Sequence, residues 1–186
     1  MNTVLLANLI KIRWIAILGQ LITLFTIFFV FNFNIPLTEC LLVVFLSILV
    51  NFYSNFIQRG NPTLTDKKTF LFLLFDISQL VGLLFLTGGV FNPFVILILA
   101  PIIISASYLS ALWTILLALY SILLILIINF NYIPLNWEQN FIIPLIYNIG
   151  ILIALIITII FIAIYAYLFA SSARKISSAL SATELK

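Results

Sequence analysis

Gly88-Gly89-Val90-Phe91-Asn92-Pro93-Phe94 is a polar, helix-breaking heptad set between two long apolar runs, Thr69 to Leu86 and Phe94 to Phe130. Paired glycines permit positive φ and close backbone approach, and Asn92-Pro93 takes Asn92 out of the helical basin and suits a turn or a helix start. The chain is therefore expected to turn here. A turn alone does not need Phe91 and Phe94, which flank an amide. Two aromatic faces beside one donor and acceptor make a seat for a flat, mostly apolar ligand with carbonyl oxygens. The residue types support both this seat and a plain hairpin turn, because Gly, Asn and Pro are the ordinary turn residues.

Outward from the heptad the chain is membrane-like. Of its 186 residues 65% are hydrophobic and 7% charged, and mean hydropathy is +1.35. Ordinary soluble domains are nearer ~45–50% apolar and ~25% charged. The composition predicts an all-α polytopic membrane protein, and at ~20 apolar residues per span, five to seven spans use most of the length and leave no room for a soluble catalytic domain. The net charge of +3 is no nucleic-acid signal, because the basic residues sit at the ends of apolar runs and form no patch. With no histidine in the chain, His-dependent triads, His metal sites and a phospho-accepting histidine are excluded, and no catalytic or metal-ligating residue is assigned. The single Cys40 rules out an intrachain disulfide and a CxxC pair.

The run from Phe94 to Phe130 carries no charge and is too long for one span at ~1.5 Å per residue. Divided near Ser107 to Trp113, it gives six spans in all: about Trp14–Phe31, Glu39–Ile57, Thr69–Leu86, two within Phe94–Phe130, and Phe141–Phe169. The loops between them include a charged one, Arg59 to Lys68, and a wet one with interfacial aromatics, Asn129 to Asn140. Lys and Arg of short loops stay cytoplasmic. Six spans with both termini inside put all eight basic residues on that side, and five would put Arg174, Lys175 and Lys186 outside. The heptad then lies at the periplasmic ends of spans three and four.

Polar residues within spans each need a reason. Asp76 stands about a third of the way across span three, where an ionised carboxylate costs ~2.5–3.5 kcal/mol on insertion scales, so it is expected to be neutral or paired. Gln79 shares its face, and Gln20 and Asn51 are positioned to meet it from neighbouring helices. Interhelical hydrogen-bond glue and a proton-linked or signalling role both stand for this group. Trp14, Trp113, Trp137 and Tyr132 fall at predicted boundaries and read as interface anchors.

Beyond Phe169 no Gly or Pro breaks the helix, and Phe169, Ala173, Ile176, Leu180 and Thr183 follow a 4-3-4-3 spacing. That is a heptad seam, and it predicts the start of a coiled coil and a parallel homodimer. The expected division is residues 1–169 as transmembrane domain and residues 170–186 as the beginning of a cytoplasmic dimerisation helix.

Thr87 to Phe94, followed by Leu99-Ala100-Pro101 and Ser105-Ala106-Ser107-Tyr108-Leu109, resembles the GGxxNPF region of the RegB/PrrB-type redox-sensing histidine kinases. The resemblance extends to Arg13-Trp14, Gly19-Gln20, Asp76, Gln79-Leu80 and Ala179 to Leu185, and so covers nearly the whole chain in the expected order. It implies a six-helix sensor domain of the bacterial inner membrane with a ubiquinone site formed by Gly88, Gly89, Phe91, Asn92, Pro93 and Phe94. It also implies transmission through spans three, four and six to a cytoplasmic kinase module and its response regulator. The helix with the phospho-accepting histidine and an ATP-binding domain are not in this sequence, which reads as a sensor fragment or a truncated frame. A quinone accepts hydrogen bonds where a quinol donates them, so Asn92 is expected to discriminate them through its C=O or its NH₂. Two readings from other classes stand beside this one: a small proton- or solute-coupled transporter with Asp76 as coupling site, and a ligand-free scaffold subunit.

Overall fold

The computed structural model describes residues 4–58, 63–135 and 145–184. Six α-helices account for most of them: α1 (Leu6–Phe25), α2 (Leu37–Gln58), α3 (Asp66–Leu86), α4 (Leu99–Tyr108), α5 (Ala111–Phe130) and α6 (Leu145–Glu184). The only extended pairing among the described residues is a two-residue antiparallel contact of Val4–Leu5 with Thr63–Leu64. It brings the start of α1 to the start of α3. Charge-free apolar runs form helices because a helix satisfies every backbone group within the segment, which hydrocarbon requires.

Among the described residues five stretches are long and apolar enough to cross a membrane: Leu9–Val30, Leu37–Phe56, Asp66–Leu86, Ala111–Phe130 and Ile151–Ala173. The first includes a π-helical segment, Thr26–Val30, which continues α1 and ends where Asn32 adopts φ 53. The expected fourth span takes a different form, a shorter apolar helix over Pro93–Tyr108. Its first part, Pro93–Ile98, is 3₁₀, and α geometry begins only at Leu99. Pro101 bears on the end of this segment: it has no N–H to give the Leu97 carbonyl, which the Leu99 N–H reaches together with that of Ile96. With ~2.0 Å rise per 3₁₀ residue and ~1.5 Å per α residue, the segment is about 27 Å long, close to the ~30 Å hydrocarbon thickness. The break at Leu109–Ser110 lies within the expected division of the Phe94–Phe130 run.

α3 is the central helix. One buried cluster joins its Leu73, Ile77 and Leu84 to Ile102 of α4, Leu117 and Ile125 of α5 and Ile159 of α6. A second joins its Leu83 to Ile17 and Leu24 of α1 and Cys40 and Val44 of α2. Hydroxyls add specific ties: Ser78 to Tyr120 at 2.8 Å and Ser105 to Thr114 at 3.1 Å. The outward faces carry large apolar side chains such as Ile15, Phe56 and Phe130, as lipid contact demands. α6 continues as one helix past Ala173 to Glu184. Trp137, Glu138, Arg59, Lys186 and the side chains of Phe169, Ile176, Leu180 and Thr183 lie outside the described residues, as does the start of the expected sixth span, Phe141 to Pro144.

Candidate functional site

The heptad is a turn with two consecutive left-handed residues, Gly88 at φ 103 and Gly89 at φ 63. A second constraint holds them. The segment after α5 folds over the turn, with Gly88 N–H donating to the Ile133 carbonyl at 3.1 Å and Ile133 N–H donating to the Phe85 carbonyl at 2.8 Å. A Cβ on Gly89 would sit 2.7 Å from the Tyr132 ring, and one on Gly88 would sit 3.2 Å from Leu135. Tyr132, expected as an interface anchor, thus rests on Gly89, and its ring meets Phe91 edge-on at 5.9 Å.

Asn92 closes the turn. Its Oδ1 accepts from Phe94 N–H at 2.9 Å, capping the 3₁₀ segment, and its Nδ2 donates to the Thr87 carbonyl at 3.0 Å and Thr87 Oγ1 at 2.8 Å. Thr87 Oγ1 in turn donates to the Leu83 carbonyl at 2.6 Å. Both donor hydrogens of the amide and one acceptor site are engaged locally. Asn92 is also buried.

On the bilayer side of this turn lies a cavity of about 330 Å³, walled by α1, α3 and the Pro93–Tyr108 helix. Asn92 and Phe94 line one end, Arg13 and Asp76 line the other, and Gln20 and Gln79 lie between. Phe94 is 40% and Leu97 46% exposed, so the rim opens toward lipid. Of the sequence-predicted site residues, the structure brings Asn92, Phe94, Gln20, Gln79 and Asp76 to this cavity. Gly88, Gly89, Pro93 and Phe91 shape the turn behind it. Phe91 packs into the bundle core, so it and Phe94 face different neighbours.

Asp76 is paired. Arg13 Nε and Nη2 donate to its two carboxylate oxygens at 2.8 and 3.1 Å, and Nη2 and Nη1 also reach the Phe72 carbonyl at 3.0 Å and Ser54 Oγ at 3.4 Å. The guanidinium lies 4.7 Å from the Phe72 ring centre. Its side chain is only 7% exposed, so Arg13, expected as a topology marker, is a partner of Asp76 inside the bundle. Sequence reading missed this pair, although a signal existed: Arg13 and Gln20 share a face of α1, and Asp76 and Gln79 share a face of α3. Asn51, expected near Asp76, instead donates to the Ile10 carbonyl at 3.2 Å. Gln20 and Gln79 form a reciprocal amide pair, with N–H···O distances of 3.2 and 3.1 Å. Trp14 and Trp113 are packed on Phe52 and Phe70.

Fold and site together define a multi-pass helical membrane domain with a lipid-facing cavity backed by polar pairs. The chain is 34% identical over 182 residues, 97% of its length, to the sensor histidine kinase RegB of Cereibacter sphaeroides, of which it spans 39%. A RegB from a specified strain of that species matches at 35% over 75 residues, 40% of this chain and 16% of that protein. No family model matches, and no solved structure is similar. Over nearly its whole length the chain is similar to a RegB-type sensor histidine kinase, and its helices are those of a multi-pass protein of the bacterial inner membrane. It spans about two fifths of the length of that relative.

Proposed function

We propose that this domain senses the redox state of the membrane quinone pool by binding ubiquinone or ubiquinol in the cavity between α1, α3 and α4. The observation that carries the reading is the cavity itself, because it places the heptad's Asn92 and Phe94 on a lipid-accessible, largely apolar space of ligand size. The lining fits the group. Phe94, Leu97 and Pro101 offer flat and apolar contact, and amides stand among them. A bound quinone supplies a two-electron couple whose two forms differ in hydrogen bonding. The chain's own part is to hold the ring, exclude water and let α4 settle differently for each form. A differential affinity of ~1.4 kcal/mol between two helix arrangements shifts their ratio tenfold.

In this reading both termini are cytoplasmic, residues 1–169 are the sensor and residues 170–186 begin a signalling helix. The signal passes through α3, α4 and α6 to a kinase module and its response regulator, and α6 pairs with its copy in a parallel homodimer. Three features support the path: the Val4–Leu5 contact with Thr63–Leu64 puts two basic segments at one end of the bundle, α6 packs against the core beside α4 and α5, and α6 is continuous to Glu184.

The test uses the chain in lipid nanodiscs with a short-chain ubiquinone analogue, read by quenching of tryptophan fluorescence. Phe94→Ala is expected to weaken binding about three- to thirtyfold, a loss of ~0.6–2 kcal/mol, and Ile156→Val to change nothing. Equal binding by wild type and Phe94→Ala would remove the quinone from this site.

A further inference from the structure

Beside the hydroxyls of Thr23 and Ser47, the cavity is lined by polar groups of two kinds. Asn92, Thr87, Arg13 and Asp76 are committed to partners within the protein. Gln20 and Gln79 are half committed: each amide has two donor hydrogens and an oxygen with two lone pairs, and the reciprocal bond uses one donor and one acceptor on each side. Both side chains line the cavity. Polar groups in a bundle interior are ordinarily satisfied, so amides with spare capacity facing a ligand-sized space call for an occupant with polar atoms. Along α3, Gln79 lies about 12 Å below Thr87 at 1.5 Å per residue, a separate level from the heptad turn.

We infer that the Gln20–Gln79 amide pair is the hydrogen-bonding contact for a ring oxygen of the quinone or quinol, and that it distinguishes the two forms. This rests on the quinone reading above. It moves the chemical discrimination away from Asn92, whose amide cannot turn to a ligand without releasing Thr87 and the Phe94 N–H. At the glutamine pair, the free Nε2–H groups donate to a carbonyl oxygen and the free Oε1 lone pairs accept from a hydroxyl. Because one glutamine belongs to α1 and the other to α3, the contact also bears on how the two helices sit together. The apolar chain of the ligand follows Leu97 and Phe94 to the lipid-facing rim.

The experiment titrates full-length chain in nanodiscs separately with the oxidised and the reduced short-chain ubiquinone analogue, and records the infrared C=O stretch of the bound oxidised form with ¹³C-labelled carbonyls. In wild type the stretch should lie below that of the analogue in lipid alone. In Gln79→Leu and Gln20→Leu it should return toward the lipid value, and the ratio of oxidised to reduced affinity should move at least threefold or oxidised binding be lost from a folded variant. Phe94→Ala should weaken both forms alike and leave the stretch shifted. Gln79→Asn covers the case in which leucine does not fold, and should displace the stretch in the same direction. If wild type binds and the glutamine variants keep both its ratio and its stretch, the pair is only a tie between helices and the inference is overturned while quinone binding stands. If wild type binds neither form, the quinone reading falls and this inference with it.

Discussion

The two ends of the cavity satisfy their polar groups in opposite ways. At the heptad end the side-chain bonds are local: Asn92 reaches Thr87 and Phe94, close along the chain, and only the backbone of the turn is tied to a distant segment, through Gly88 and Ile133. At the other end they run between distant helices, with 63 residues separating Arg13 from Asp76 and 59 separating Gln20 from Gln79. The first end is a turn whose side-chain bonds its own sequence specifies and over which residues 131–135 fold. The second exists only when α1 and α3 have docked. A local turn is damaged by changing its shape, and a docked pair by stranding one of its partners.

The largest expected effect follows from stranding a charge. Arg13→Leu leaves Asp76 without its cation inside the bundle and is expected to cost about 3–5 kcal/mol, read as the midpoint of unfolding in mixed detergent micelles. Arg13→Leu combined with Asp76→Leu should recover most of that loss, because no charge then remains buried. Additive losses would mean that the ion pair is not the unit that joins α1 to α3.

At the heptad end the expected costs are those of shape. Gly89→Ala meets both a positive φ and the Tyr132 ring at 2.7 Å, and should destabilise by about 1–3 kcal/mol from backbone strain alone. Adding Tyr132→Ala should relieve the clash and leave the strain, so partial rescue is the expected result in the same assay. Full rescue would show that the left-handed conformation costs nothing here; no rescue would show that the 131–135 segment does not press on the turn.

The smallest expected effect separates the two jobs of Asn92. Asn92→Ala loses the cap and both donated bonds and should cost about 0.5–2 kcal/mol. Asn92→Ser keeps a short acceptor for capping the 3₁₀ segment and loses the donations to Thr87, so it should fall between wild type and alanine. A serine variant as unstable as alanine would assign the whole contribution to Thr87.

The same contrast explains what was legible in the sequence. Helix positions, the turn and the division of the Phe94–Phe130 run follow from hydropathy, Gly-Gly and Asn-Pro, all properties of neighbouring residues, and the structure agrees with them. The 3₁₀ form of Pro93–Ile98 was not legible, because a count of apolar residues does not register backbone pitch. The membrane cavity and the pairing of Arg13 with Asp76 depend on the rotation of each helix about its axis. Hydropathy alone leaves that rotation free, and the signal for it lay in the polar faces, Arg13 with Gln20 on α1 and Asp76 with Gln79 on α3. Tyr132 on Gly89 is the same kind of case, since paired glycines show that something approaches closely and not what does.

The unbroken course of α6 has a consequence in torsion. Forty residues at 1.5 Å make a rod of about 60 Å, twice the ~30 Å hydrocarbon thickness. Each residue advances the helix by about 100°, so the bearing of Glu184 is set by the packing of Ile159 in the core. On the proposed signal path such a rod is a shaft, carrying a twist applied where α4 and α5 grip it toward its far end. Removing one residue between Ala173 and Glu184 would leave the cavity and the bundle untouched and swing every later side chain by about 100°.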